Sequence, residues 1–176
     1  MKITREWAMP NKNTFEIKPI AELIKRYYHP YPAQNSIDPF ANKNRLATLT
    51  NDLDEQYDTD YHLDALEFLD LFEPKKSVDL VFFDPPFSPT QVVQCYKKLG
   101  KTVDATSTSM SYWSNLKDKI ARILRNEGVV ISCGWNSNGM GKMRGFQIIE
   151  ILLVAHGGAK HDTIITVDKK IQQTLT

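Results

Sequence analysis

The stretch Val78-Asp79-Leu80-Val81-Phe82-Phe83-Asp84-Pro85-Pro86-Phe87 decides how this chain is read. Its first six residues form an apolar run of strand length, rich in β-branched and aromatic side chains, as a buried strand should be. Two prolines then stop it. Each fixes its own φ and pushes the residue before it toward extended geometry, so the Asp84 carboxylate and the neighbouring carbonyls become fixed acceptors at a strand end. In an open α/β sheet, ligands collect beyond the carboxyl ends of the strands. A carboxylate and a carbonyl at that place accept both hydrogens of a planar amino group while Phe87 stacks on its ring. The amino groups of nucleobases fit this description.

Around that stretch, strands and helices alternate. The pattern predicts a helix over Ile17 to Tyr28, strands at Ser36 to Pro39 and near Ala47 to Thr50, and a short helix over Ala65 to Leu71. After the central strand come helical segments from Gln91 to Leu99 and Ser109 to Asn126, with Gly128 stopping the second before a strand at Val129 to Cys133. Phe146 to Ala155 and Asp162 to Asp168 are β-rich runs around the turn-like stretch His156 to His161, which reads as a hairpin. Alternation implies a mostly parallel sheet, and the closing hairpin adds antiparallel strands at one edge. The expectation is one α/β domain over 1–176, three-layered α/β/α.

Asp84-Pro85-Pro86-Phe87 resembles the catalytic signature of amino-group DNA methyltransferases, which use S-adenosylmethionine to modify exocyclic amines of adenine or cytosine. The resemblance implies a Rossmann-like methyltransferase fold, S-adenosylmethionine as cofactor and DNA as partner, with RNA an alternative. It assigns catalysis to Asp84, Pro85, Pro86 and Phe87. An Asp at the first position followed by an aromatic fourth residue favours adenine over cytosine; protein glutamine and RNA amines are weaker options. Little sequence lies outside the catalytic fold, so sequence specificity would be low, or supplied by a partner subunit or by homodimerisation.

Other segments follow the same resemblance in chain order. Ser36-Ile37-Asp38-Pro39-Phe40-Ala41-Asn42 is similar to the family's first cofactor turn, with Asp38 accepting from the cofactor's ammonium group and Phe40 beside it. Glycines usually follow there; this chain has Ala41, Asn42, Lys43 and Asn44, and Asn is the residue that next best tolerates left-handed torsions. Asp52, at the end of the next strand, is placed for a ribose hydroxyl pair, with Asp54 in reserve. Asp64 reads as a helix N-cap, and the family puts an acidic residue there, followed by Ala65, against the cofactor's adenine. Upstream, Phe15 would pack on the cofactor and Lys18 face its carboxylate, although Pro19 in the first helical turn accounts for that pattern without a ligand. Downstream, Trp135 in the glycine- and asparagine-rich loop after Cys133 would wall the target pocket, and Lys142 and Arg144 would meet nucleic-acid phosphates.

Composition narrows the classes further. The chain of 176 residues is long enough for one substantial core, and its formal net charge of +1 leaves room only for a local polyanion patch. Lys97, Lys98, Lys101, Lys117, Lys119, Arg122 and Arg125 are the candidates for it. No membrane span is expected, and the start Met1-Lys2-Ile3-Thr4 lacks the apolar block of a secretion signal, so a cytoplasmic protein is expected. Cys95 and Cys133 read as buried thiols, and the four histidines lack ligand spacing, so no metal is assigned.

Overall fold

The computed structural model describes residues 1–29, 34–72, 77–86, 88–100, 110–158 and 161–171. Its centre is β4 (Val78–Phe83), where Leu80, Val81 and Phe82 are fully buried. Each such side chain stabilises the fold by about 1.5–3 kcal/mol. Alternation along the strand serves two faces. Leu80 and Phe82 join one apolar cluster with Ile20, Leu23 and Ile24 of α1 (Lys18–Tyr27). Val81 and Phe83 join another with Phe68 of α2 (Ala65–Asp70) and Leu116 and Ile120 of α4 (Met110–Ile123). Helices thus cover both faces of the sheet, giving the three layers expected.

The remaining strands are β1 (Lys2–Trp7), β2 (Ser36–Asp38), β3 (Leu49–Thr50), β5 (Leu124–Gly134), β6 (Phe146–Ala155) and β7 (Thr163–Lys170). The sheet order is β1-β6-β7-β5-β4-β2-β3. Pairing is parallel except on both sides of β7, which runs against β5 and β6. The mostly parallel sheet and its closing hairpin are therefore present. From β2 the chain steps outward to β3 and then returns across β2 to β4. This reversal opens a crevice at the carboxyl ends of β2 and β4, which is where Asp38 and Asp84 stand.

Two differences from the sequence reading have physical causes. Residues 2–7 form a strand that the pattern did not signal, because β1 is an edge strand with mixed charges and its Ile3 and Trp7 are 58% and 65% exposed. The helix expected to reach Asn126 ends at Ile123, and Leu124 already pairs with Val78. Glu127 there has φ +66°, and a Cβ on Gly128 would meet the Leu124 side chain at 2.7 Å, so the chain bulges before pairing resumes at Val129. Residues 39–48, joining two parallel strands, contain neither helix nor strand. None of the described helices is long and apolar enough to cross a membrane.

Candidate active site

Asp84 leaves β4 into a turn stiffened by Pro85 and Pro86. The Pro86 carbonyl accepts from Trp113 Nε1 at 3.3 Å, which ties the turn to α4. The residue is half-buried, but its Oδ1 is shielded from solvent and has no hydrogen-bond partner. That burial pushes the carboxyl pKa up to about 6, against a smaller lowering by the Thr14 hydroxyl. Phe87, assigned to stacking from the sequence, lies outside the described residues.

Asp38 is fully buried at the end of β2. One oxygen accepts from the Phe40 N–H and the other from Asn44 Nδ2, both at 3.0 Å. Burial raises its pKa to about 8; the charges of Asp84 and Asp52 push the same way, and the two hydrogen bonds oppose them. Asn42 then adopts φ +52°, the left-handed conformation for which a glycine is the usual choice. Its N–H donates to Asp52 at 2.9 Å. The asparagine does the conformational work of the missing glycine.

Asp52 also accepts from the Asp54 N–H at 2.9 Å, and burial raises its pKa although these N–H bonds oppose the rise. Asp54 is buried and pairs with Lys98 at 3.3 Å. Its pKa is lowered, first by the Gln56 N–H and also by Lys98. Asp64 caps α2 by accepting from the Leu66 N–H at 2.9 Å. Its other oxygen accepts from the hydroxyls of Tyr96 at 2.6 Å and Tyr112 at 3.4 Å. Tyr96 lies on α3 (Pro89–Lys98), so that helix is tethered by its Tyr96 and Lys98 to two acidic loops.

Asn51 is a site residue that the sequence reading missed. It is 1% exposed, donates to the carbonyls of Pro39 and Leu63 at 3.1 and 3.0 Å, and accepts from the Leu63 N–H at 2.9 Å. One buried amide therefore locks together the loops that carry Asp38, Asp52 and Asp64. An asparagine directly after Leu49-Thr50 at a strand end was the local clue.

Two cavities meet at this place. The first, a cleft of about 500 Å³, is lined by Asp52, Asp54, Asp64, Ala65, Pro85 and Pro86 among others. The second, of about 610 Å³, lies between α1 and the loop 41–46. Asp84, Thr14, Phe40, Asn42 and Lys12 line both. Phe15 lines the second cavity and packs on Phe82 with ring centroids 5.4 Å apart; Phe40 packs on Phe83 at 6.0 Å. Asp38 and Lys18 line neither, Lys18 being exposed at the start of α1.

The downstream residues stand apart from both cavities. Trp135 is 46% exposed and stacks on His161, with centroids 4.9 Å apart. Lys142 is exposed on a short turn of 3₁₀ helix. Arg144, expected at phosphates, is instead committed to α4 and the loop: it donates to Asp118 at 2.6 Å, to Ser114 at 2.7 Å and to the Met140 carbonyl at 3.2 Å. Gly139 in that loop has φ +55°, and a Cβ there would meet the Asp168 carboxylate at 2.5 Å. The expected cationic patch is also largely engaged internally. Lys98 pairs with Asp54, Lys119 with Asp70 and Arg125 with Asp79, and Lys117 donates to the Gly139 carbonyl. Lys101 lies outside the described residues. Of the thiols, Cys133 is buried as expected, whereas Cys95 is exposed on α3, where it lines the first cleft.

No protein-family model and no curated protein matches the chain. Solved structures do. A Haemophilus influenzae protein assigned as a methylase is similar with a TM-score of 0.55 at 12% identity, over 88% of this chain and 98% of its own. TrmN of Thermus thermophilus is similar with a TM-score of 0.52 at 18% identity, over 88% of this chain and about half, 49%, of its own. The 1,6-didemethyltoxoflavin-N1-methyltransferase of Burkholderia thailandensis, holding 1,6-didemethyltoxoflavin and S-adenosylhomocysteine, gives 0.52 at 9% identity, over 78% of this chain and 71% of its own. At such identities the likeness establishes the fold, and that fold is the Rossmann-like methyltransferase fold.

Proposed function

We propose that the protein transfers a methyl group from S-adenosylmethionine to the exocyclic amine of adenine in DNA, directly and without a covalent enzyme intermediate. The observation that carries this reading is the shielded, unpartnered Oδ1 of Asp84 where two cavities meet. A buried acceptor without a donor is costly, so its partner is sought in a ligand. The chemistry of the first cleft fits S-adenosylmethionine, because the acidic set Asp52, Asp54 and Asp64 suits a cationic ligand with ribose hydroxyls and an adenine amine. When bound, that cofactor supplies a sulfonium methyl group. Asp52 accepts from the ribose hydroxyls, Asp64 from the adenine amine beside Ala65, and Phe40 packs between the cavities.

On the acceptor side, Asp84 and the Pro85 carbonyl accept hydrogen bonds from the two amine hydrogens, favour tetrahedral nitrogen and expose its lone pair, and the methylated nitrogen then loses one of those protons. Ionised Asp84 stabilises the positive charge that develops on that nitrogen. The base reaches this place only after leaving its stack. Positioning of amine and methyl donor supplies much of the remaining acceleration.

A second reading has one observation in its favour: both Asp38 oxygens already have internal donors. A methyltransferase-like nucleic-acid-binding subunit without cofactor affinity would look like this. Nucleoside analysis after incubating mixed DNA and RNA with labelled S-adenosylmethionine separates the readings. The proposal expects label in methylated adenosine from DNA; label only in cytidine or RNA nucleosides, or none, refutes it.

A further inference from the structure

Away from the cavities, one edge of the sheet is open. β1 has β6 on one side and, among the described residues, no strand on the other. The Ala8 N–H donates to the Ala155 carbonyl, and peptide groups alternate along a strand, so Ile3, Arg5 and Trp7 aim their N–H and C=O groups away from β6. The sheet face beside this edge is bare as well. β5 and β6 both run against β7 and are therefore parallel to each other, yet the connection 135–145 between them holds one 3₁₀ turn where a crossover helix is usual. That connection is bonded to α4 through Lys117 and Arg144. Ile3 and Trp7, 58% and 65% exposed, share the uncovered face with half-buried Leu153 and Ile164, which join neither apolar cluster.

We infer that this edge is a homodimer interface: two copies of β1 pair antiparallel about a two-fold axis at Thr4 and join their sheets edge to edge. Charge selects that register. Residues directly opposed across a pair share a face, so the copies slide only in steps that keep odd positions opposite odd ones. With Thr4 opposite itself, Lys2 faces Glu6 of the second copy and Glu6 faces Lys2, so the axis makes two ion pairs. On the other face Met1 meets Trp7, and Ile3 meets Arg5, whose stem packs on it. The outward groups of Ile3, Arg5 and Trp7 fall into the hydrogen-bonded pairs of this ladder, while Thr4 forms a non-hydrogen-bonded pair with Cα atoms about 4.5 Å apart. Sliding one step sets Arg5 against Arg5; a step the other way loses both Lys2–Glu6 pairs. Among the described residues Glu6 forms no ion pair, and Lys2, paired with Glu150 at 3.3 Å, keeps its side chain 57% exposed. An edge guarded against association carries charges that repel a second copy. These attract one. Strand direction reverses across the axis, so the carboxyl ends of the two sheets, with their clefts, face opposite ways. Neither the pairing nor its register depends on methyl transfer.

Sedimentation velocity of the full chain from about 1 to 200 µM tests the interface, and the parent should shift from monomer to dimer across that range. Arg5→Pro removes an outward N–H without touching the β6 ladder, and Glu6→Lys sets lysine against lysine twice. Each should raise the dimer dissociation constant by about tenfold or more, with circular dichroism showing the fold retained. Should Arg5→Pro unfold the chain, Glu6→Lys alone decides. Cross-linking reads the register. In a Cys95→Ser background, mild oxidation should join Thr4→Cys into covalent dimers and leave Glu6→Cys unjoined, because position 4 lies opposite itself and position 6 does not. A parent that stays monomeric throughout, or dimers that Glu6→Lys leaves as tight as before, would overturn the interface. Cross-linking at position 6 in place of position 4 would overturn the two-fold axis at Thr4.

Discussion

Replacing Asp84 by Asn should stabilise the fold while abolishing its chemistry. A carboxyl whose pKa rises from 3.8 to about 6 on burial costs about 3 kcal/mol of stability when ionised. The sign follows from the direction of the shift. With the folded value above the unfolded one, the penalty is absent well below pH 3.8, grows between 3.8 and about 6, and is complete above that. At pH 8 the full cost applies, whereas about 0.5 kcal/mol is left at pH 4. Asn keeps the shape but leaves its own polar atom at the cavity, so the expected gain at pH 8 is about 2–3 kcal/mol. With a urea m-value of about 2 kcal/mol/M, the midpoint moves up by about 1 M. Methyl transfer should fall by about 100-fold or more. In the parent, kcat/KM should rise through about pH 6 as Asp84 ionises. Urea unfolding of both proteins at pH 8 and pH 4 measures the effect. An Asn variant no more stable than the parent at pH 8, or a gain equal at both pH values, would refute a shielded, uncompensated carboxylate.

Three further perturbations probe the surroundings. Tyr96→Phe frees one oxygen of Asp64 from a 2.6 Å bond, and S-adenosylhomocysteine should bind about fivefold more tightly by calorimetry; weaker binding would make the Tyr96 hydroxyl part of the cofactor site. Glu150 is pushed up by burial but held below its ordinary pKa by Tyr27, Lys2 and Arg26 together, so its stabilisation is present above the unfolded value of about 4.5 and fades as pH falls through the lower folded value. Glu150→Gln should therefore cost about 1–3 kcal/mol at pH 7 in urea unfolding and much less near pH 3; an equal cost at both would exclude the ionic contribution. Asp38 is fully buried, lines neither cavity and titrates near pH 8, so it should stay protonated when S-adenosylhomocysteine binds at pH 7, and calorimetric enthalpies in Tris and in phosphate should agree. A buffer-dependent enthalpy would show that binding ionises a buried carboxyl.

What could be read from the sequence was what is local and apolar. The run at Val78–Phe83 reads as a strand because five of its six residues are apolar and buried within strand length, and the hairpin after Phe146 needed only two β-rich stretches and a glycine turn. The turn after Asp38 was legible only in kind: asparagine is the residue that next best tolerates left-handed torsions, which does not choose between Asn42 and Asn44, and it is Asn42 that adopts one. Edge strand β1 was not, because its exposed, charged faces carry no burial period. Long-range pairings were equally hidden: nothing near Asp64 announces Tyr96 and Tyr112, nothing near Arg144 announces Asp118, and the three loops joined by Asn51 are neighbours only in the fold. The meeting of two cavities at Asp84 depends on crossing from β3 back to β4, which is a property of topology.

The most direct measurement is transfer of labelled methyl from S-adenosylmethionine to an adenine-containing DNA oligonucleotide at pH 8, for the parent and for Asp84→Ala, with cofactor binding measured on both by calorimetry. The account predicts label in the parent, label lost from the variant, and cofactor bound to both. Equal label in the two proteins would contradict it, because a lone carboxylate at the junction of the cavities would then have no part in the reaction.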